Sequence, residues 1–251
     1  PVELRHFGTM SSDEFFAGRP TSDGGCVFIG NTYVMGPDNI SRLDLLVTKL
    51  DDRLHTEWFE TYGELMGMEA GFDIREVSSG GYIAVGYGDG YVRLTRIDSD
   101  GALLWESDTS TPAGGTDPGI TVVEASDGGF VVTTRGPLVK TDSTGTLLWT
   151  SHLDCEARCA RELPDGGFIV CGSVNVEPGN DDACLVRTDS SGNPIWRRTF
   201  GESGTEVAYC VQPTPDGGFV LTGFALRPGR SHTEILLIKT DSAGMVHAPV
   251  E

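Results

Sequence analysis

The feature that most constrains this chain is a pair of adjacent glycines that returns at Gly24-Gly25, Gly80-Gly81, Gly128-Gly129, Gly166-Gly167 and Gly217-Gly218. Each pair follows Asp or Ser (Asp23, Ser79, Asp127, Asp165, Asp216) and precedes a short apolar run: CVFIG, YIAVG, FVVTT, FIVCG or FVLTG. A stretch of variable length comes next. Then a second apolar run ends in a base and an acid: LLVTKLD, VRLTRID, PLVKTD, CLVRTD and LLIKTD. The acid opens DDRL at Asp51 and DSDG, DSTG, DSSG and DSAG in the later copies. Seven residues beyond it stands Trp58, Trp105, Trp149 or Trp196, which accounts for every tryptophan in the chain. A period of roughly 40–55 residues belongs to solenoids and propellers.

Each unit reads as four strands, A to D. Asp-Gly-Gly and Asp-Ser-x-Gly supply the positive-φ positions of tight hairpin turns. The runs between them are short, β-branched and aromatic, with no stretch at helical period. The prediction is an all-β, five-bladed β-propeller of four-stranded antiparallel blades, occupying residues 1–251 as a single domain. The blades fall at about 13–63, 69–109, 117–153, 155–201 and 206–251. PVELRHFG at the start matches NPIWRRTFG at Asn193–Gly201 in its final Phe-Gly. Val2–Phe7 is therefore expected to pair with the C-terminal blade and close the ring, which removes two exposed edges. The C-terminal MVHAPVE competes for that place and lacks the Trp.

Composition narrows the setting. The formal charge of −19, with Lys49, Lys140 and Lys239 as the only lysines, excludes a nucleic-acid partner, whose phosphates need a basic surface. It fits a solvated surface in extracellular or salty water. No apolar run is long enough to span a membrane, and no signal peptide is visible, although an exported chain would have shed one. The six cysteines contain no C-x-x-C pair and suit no zinc module. Cys171 and Cys184 flank the longest excursion of the fourth unit, and a disulfide between them is one expectation. Cys159 and Cys210 share one register in neighbouring units, where small buried residues are the plain expectation.

Strands alternate in direction, so the uniform A–B and C–D turns lie at one end of each blade. The variable B–C and D–A connections lie at the other, where binding usually lives on a rigid scaffold. At the entry to each innermost strand stand Asp13, Glu69, Asp117, Cys155 (with Asp154 beside it) and Glu206. These carboxylates are expected around the channel mouth. Three readings stand for them: caps on their own turns, a Ca²⁺ site built of carboxylate oxygens, or a glycosidase pair drawn from Asp13, Asp117 and Glu206. Six residues further on, Arg19, Arg75 and Arg161 share a register that Glu76, Glu124 and Glu162 follow, as in ion pairs along the inner strand or an anion-binding collar. The bases before the second turn are read as turn locks, and the tryptophans as blade packing or as sugar-stacking platforms.

The order DGGF, then an apolar run and Gly, then K-T-D-S-x-G-x-x-x-W resembles the propeller-type repeat of secreted and cell-surface proteins of bacteria and archaea. Phe200–Phe224 carries it best, and the third unit departs most, with Thr134 in place of the glycine. The D-x-x-G-x-x-x-W part also resembles quinone-dehydrogenase propeller repeats, whose rings are larger. The resemblance implies an extracellular or cell-surface location and no assigned chemistry. The expected function is a non-catalytic binding or adhesion module that holds a glycan or protein on the B–C/D–A face, with no cofactor beyond possible Ca²⁺. A monomer or a part of a larger surface protein is expected; a structural spacer and a glycosidase-like enzyme are the alternatives.

Overall fold

The computed structural model describes residues 12–35, 40–63, 69–88, 90–112 and 121–246. Val2–Phe7 and Asp117 lie outside the described residues, as does most of MVHAPVE. The described residues hold strands and turns with no helix, arranged in two compact units, residues 1–118 and 119–251.

The first unit contains two four-stranded antiparallel sheets. One is β1 (Asp13–Pro20), β2 (Cys26–Met35), β3 (Ser41–Leu50) and β4 (Thr56–Tyr62). The other is β5 (Glu69–Glu76), β6 (Tyr82–Gly88), β7 (Tyr91–Ile97) and β8 (Leu103–Pro112). The second unit contains β9 (Val122–Glu124), β10 (Phe130–Val132), β11 (Leu138–Thr141) and β12 (Leu147–Ser151) as one sheet. A second sheet is β13 (Glu156–Glu162), β14 (Phe168–Glu177), β15 (Asn180–Thr188) and β16 (Pro194–Phe200). The strands β17 (Thr205–Pro213), β18 (Phe219–Leu226) and β19 (Glu234–Thr240) follow, joined to it by one parallel bridge, Asp181 to Thr205. Each sheet runs in chain order with antiparallel neighbours, the arrangement of propeller blades.

The middle strands read as continuous apolar runs because both their faces are covered. In the first unit, Val27, Ile29, Leu45 and Val47 of one sheet pack on Ile74, Tyr82, Ala84 and Ile97 of the next. A fully buried side chain such as Ile74 contributes about 1.5–3 kcal/mol. The tryptophans finish these joints. Trp58 meets Tyr82, Trp149 meets Phe168 and Trp196 meets Phe219, with ring centroids 5.9, 6.2 and 6.2 Å apart. Each partner is the aromatic that follows a Gly-Gly pair in the next sheet. The glycine of the next Asp-Ser-x-Gly turn supplies the seat: a Cβ at Gly192 would lie 2.5 Å from the Trp149 ring. These contacts make the tryptophans packing residues.

The glycine that ends each apolar run answers a different demand. The first strands β1, β5, β13 and β17 each carry a bulge at the same place, between Phe15 and Ala17, Gly71 and Asp73, Ala157 and Cys159, and Ala208 and Cys210. Opposite those bulges stand Gly30, Gly86, Gly172 and Gly223, where a Cβ would meet a carbonyl oxygen of the inner strand at 1.8–1.9 Å. The third repeat has Thr134 there, and its first described strand, β9, is three residues long.

The uniform turns are closed by their own polar groups. Asp23 accepts from Gly25 N at 2.9 Å and pairs with Lys49 at 2.8 Å; Asp127 does the same with Gly129 and Lys140. Arg187 binds Asp165 and Lys239 binds Asp216. Where Ser79 replaces the acid, Arg96 spreads over Ser79 Oγ and the carbonyls of Gly80, Tyr82 and Ile97. Burial alone would lower Lys49, but Asp23 and Glu57 outweigh it and push it up to about 12. The Lys49 ammonium, with Thr21 and Gly25 N–H, holds Asp23 far below the carboxylate range. Asp51 is held low by His55 N–H, and Asp142 by the Thr144 hydroxyl.

The arginine register makes ion pairs as expected, though with an acid that the register did not single out: Arg19 and Arg75 pair with Asp73, at 2.7 and 3.3 Å. Glu76 instead accepts from Ser22 N and Oγ at 2.7 and 2.6 Å, and Glu162 from Ser126 N and Oγ at 2.8 Å, which staples one sheet's turn to the next sheet. The disulfide also differs: Cys184 is joined to Cys155, with Cα atoms 6.4 Å apart, and Cys171 is free. The reason is the register. Cys184 stands opposite Gly172, so Cys171 is one residue off and points to the other face of the sheet.

Three outcomes follow from these contacts. Gly223→Ala should cost about 2 kcal/mol or more in denaturant unfolding, because the clash is with backbone. Leu54, at φ 63°, occupies the turn position held by Gly101, Gly145, Gly192 and Gly244 in the sister turns, so Leu54→Gly should stabilise by about 0.5–1 kcal/mol. Because the turn aspartates sit below their unfolded value of about 3.8, the unfolded chain takes up protons first on acidification. Their contribution is complete at neutral pH and shrinks below about pH 5, so the melting temperature should fall steadily toward pH 3; a flat profile would show that these pairs add nothing.

Candidate functional site

The two ends of each sheet differ in chemistry. At the Asp-Gly-Gly and Asp-Ser-x-Gly end, side chains are spent on closing turns. The opposite end carries the acids that open the first strand of a sheet, each held in its own surroundings. Asp13 begins β1, opposite Thr32, and is partly buried. Glu69 begins β5 and is buried, with Oε1 3.6 Å from Arg93 Nη1. Arg93 also binds Asp108 at 2.8 and 3.2 Å, and that carboxylate raises its already high pKa. Asp154 is exposed, and its carbonyl accepts from Arg197 Nη1 at 2.8 Å. Glu206 is buried and accepts from Glu202 N at 3.3 Å, as a turn cap does. Cys155, in the same register, is taken by the disulfide to Cys184. Among the described residues, no three His, Cys, Asp or Glu side chains gather as a metal site would require.

A different set of side chains does converge. The residue skipped by each bulge is aimed away from the ladder, as bulges do. In the first unit these residues are Phe16 and Phe72, with ring centroids 5.7 Å apart, and Phe72 continues to Tyr87 at 5.8 Å. In the second unit they are Arg158 and Tyr209, with the guanidinium carbon 5.2 Å from the Tyr209 ring centroid. Tyr209 continues to Phe224 at 5.7 Å. Arg158 is 7 % exposed and Tyr209 50 %, so the tyrosine presents a face that the arginine backs.

Glu156 gathers the cations of this array. Its Oε2 lies 3.3 Å from Arg135 Nη2 and 3.8 Å from Arg158 Nη2. Beside it is a cavity of about 270 Å³ lined by Gly136, His152, Asp154, Glu156, Ser173 and Asn175, among others. Two of the backbone's unusual positions frame it: Arg135 at φ 60° and Asp154 at φ 49°. For a side chain as large as arginine this conformation costs of order 1 kcal/mol or more, and such strain concentrates at ligand-contacting sites. An arginine that backs a tyrosine and reaches toward a carboxylate offers stacking, cation–π and hydrogen-bond contacts to a ligand.

Sequence reasoning singled out the register acid and the arginine six residues beyond it. The bulge residue lies three beyond, at Phe16, Phe72, Arg158 and Tyr209, and was passed over. The glycine that ends the apolar run was the available signal, because it marks a backbone approach on the neighbouring strand.

Known structures share this fold. A protein of unknown function from Bacteroides caccae is similar with a TM-score of 0.60 at 14% identity, over 93% of this chain and 80% of that one. A protein of unknown function from Dyadobacter fermentans is similar with a TM-score of 0.56 at 13% identity, over 92% and 80%. Drosophila Plexin A, in its complex with Semaphorin 1b, is similar with a TM-score of 0.50 at 7% identity, over 97% and 60%. At these identities the likeness speaks of fold alone. No curated protein sequence matches. The family model described as outer membrane protein assembly factor BamB matches two overlapping stretches, 58–161 and 88–231, as a chain of repeated units does. With its β-propeller repeat fold and a match across more than half its length, the chain belongs to that family.

Proposed function

We propose that this chain is a non-catalytic binding module whose ligand face is formed by the B–C and D–A connections, with a protein segment as its ligand. The observation that carries the reading is the contrast between the two ends of the sheets. One end is closed by turn-locking pairs; the other carries Glu156 in the wall of a cavity, with Arg135, at positive φ, and Arg158 near its carboxylate and Tyr209 against Arg158. The family's description as an assembly factor for outer membrane proteins favours a polypeptide over a glycan. In this reading the sheets form one five-bladed propeller over residues 1–251, closed by Val2–Phe7 adding to β19. The exposure of Ile235 and Leu237 on β19, at 91 % and 67 %, supports such a closing strand. The acids Asp13, Glu69, Asp117, Asp154 and Glu206 then rim the same face. An extracellular or cell-surface location is supported by the Cys155–Cys184 disulfide, which needs an oxidising compartment.

The test is binding to a peptide array and a glycan array, each run with calcium and with chelator. Tyr209→Ala should weaken peptide binding at least tenfold, the loss expected of a central aromatic contact, while the melting temperature stays within a few degrees. Unchanged binding would remove this site from the reading. Glycan binding that needs calcium and disappears in Asp117→Asn would move the function to the acidic rim and the ligand class to sugars.

A further inference from the structure

Four of the six cysteines carry no disulfide: Cys26, Cys159, Cys171 and Cys210. Three of them meet inside the second unit. Cys159 of β13 and Cys210 of β17 lie on neighbouring inner strands with their sulfurs 3.9 Å apart. Cys171 of β14 stands directly across from Cys159 in the ladder, and its sulfur lies 3.8 Å from the Ala208 carbonyl. The three differ in access: Cys171 is fully enclosed, Cys159 nearly so, and Cys210 is partly open to solvent. A cation stands at the Cys210 sulfur, with Arg161 Nη2 at 3.8 Å. A guanidinium beside a thiol favours the thiolate, the reactive form.

We infer that Cys210 and Cys159 form a second disulfide, joining β13 to β17, when the protein meets a small-molecule disulfide such as oxidised glutathione. The Cys210 thiolate attacks one sulfur of the reagent, forming a mixed disulfide and releasing one thiolate. That thiolate takes the Cys159 proton. The Cys159 sulfur then attacks Cys210 Sγ, breaks the mixed disulfide and expels the second half of the reagent, which is protonated from solvent. The net change is one protein dithiol oxidised and one reagent disulfide reduced to two thiols. The bond requires the sulfurs to close from 3.9 Å to about 2.05 Å, a movement shared by rotation about two Cα–Cβ bonds. Arg161 is displaced from Cys210 as it forms.

Cys171 is the competing partner for Cys159, and access decides between them. The reagent reaches Cys210 first, and the resulting mixed disulfide then presents its sulfur to Cys159, 51 residues away in sequence. The bond fastens the inner strands of two successive sheets to each other, on the face of the β13–β16 sheet opposite Cys184. Cys155–Cys184 belongs to the cluster between the β9–β12 and β13–β16 sheets, whereas Cys159 and Cys171 belong to the one between β13–β16 and β17–β19.

The experiment is to incubate the folded protein with oxidised glutathione, count free thiols after denaturation, and map linked peptides by mass spectrometry without reduction. The four free thiols should fall to two, with Cys159 linked to Cys210. Cys210→Ser should start at three and stay there. Cys171→Ser should start at three and fall to one; should that buried substitution impair folding, the wild-type peptide map decides alone. A wild-type count that stays at four, a glutathione adduct held on Cys210 without a cross-link, or a Cys159–Cys171 linkage would each overturn the inference.

Discussion

The structure depends on one contact, the tryptophan of an outer strand lodged against the aromatic that follows the next Gly-Gly pair. A four-stranded sheet of this kind has two apolar faces and cannot cover either of them alone. Stability in repeated folds comes from intrinsic terms within each repeat and from the interfaces between successive repeats. Trp58 with Tyr82, Trp149 with Phe168 and Trp196 with Phe219 are those interfaces reduced to their largest members. The contact also explains why the turn glycine and the tryptophan recur together. Gly101, Gly192 and Gly244 each lie against the tryptophan of the sheet before their own. The motif as written in one repeat is therefore half of two different joints.

Secondary polar contacts repeat the same logic. Ser22 with Glu76 and Ser126 with Glu162 tie a turn to its successor in each unit. These pairs are exposed and individually weak, but they fix the rotation of one sheet against the next, which apolar packing leaves loose. The buried bases work within a sheet. Lys49 and Lys140 hold their ammonium groups among turn carbonyls and an aspartate, so two of the three lysines of an acidic chain are placed inside it, while Lys239 makes the same pair half-exposed.

Most of the fold was legible because it is written in residues with no substitute. The paired glycines, the Asp-Ser-x-Gly turns and the tryptophans fix strand number and direction within each sheet, and Leu54 shows the chain tolerating a departure through strain. The third repeat was legible as an exception: Thr134 stands where the sister repeats have glycine, and its first described strand is the three residues of β9. The disulfide was not legible, since Cys155, Cys171 and Cys184 are all close in the same repeat and only the register tells which face each occupies. The arginine and tyrosine of the candidate site were missed for a related reason. Period-two reasoning puts them on the same footing as their neighbours, whereas a bulge removes one residue from the ladder and turns its side chain elsewhere.

That bulge separates architecture from content. Its backbone is accommodated by a glycine on the adjacent strand, so the displaced side chain carries no part of the hydrogen-bonded framework. The same geometric slot holds phenylalanine at Phe16 and Phe72, arginine at Arg158 and tyrosine at Tyr209. The repeat thus behaves like a row of identical sockets, each of which accepts a different fitting. A chain assembled this way can revise what it touches one socket at a time, while the scaffold beneath stays unaware of the exchange.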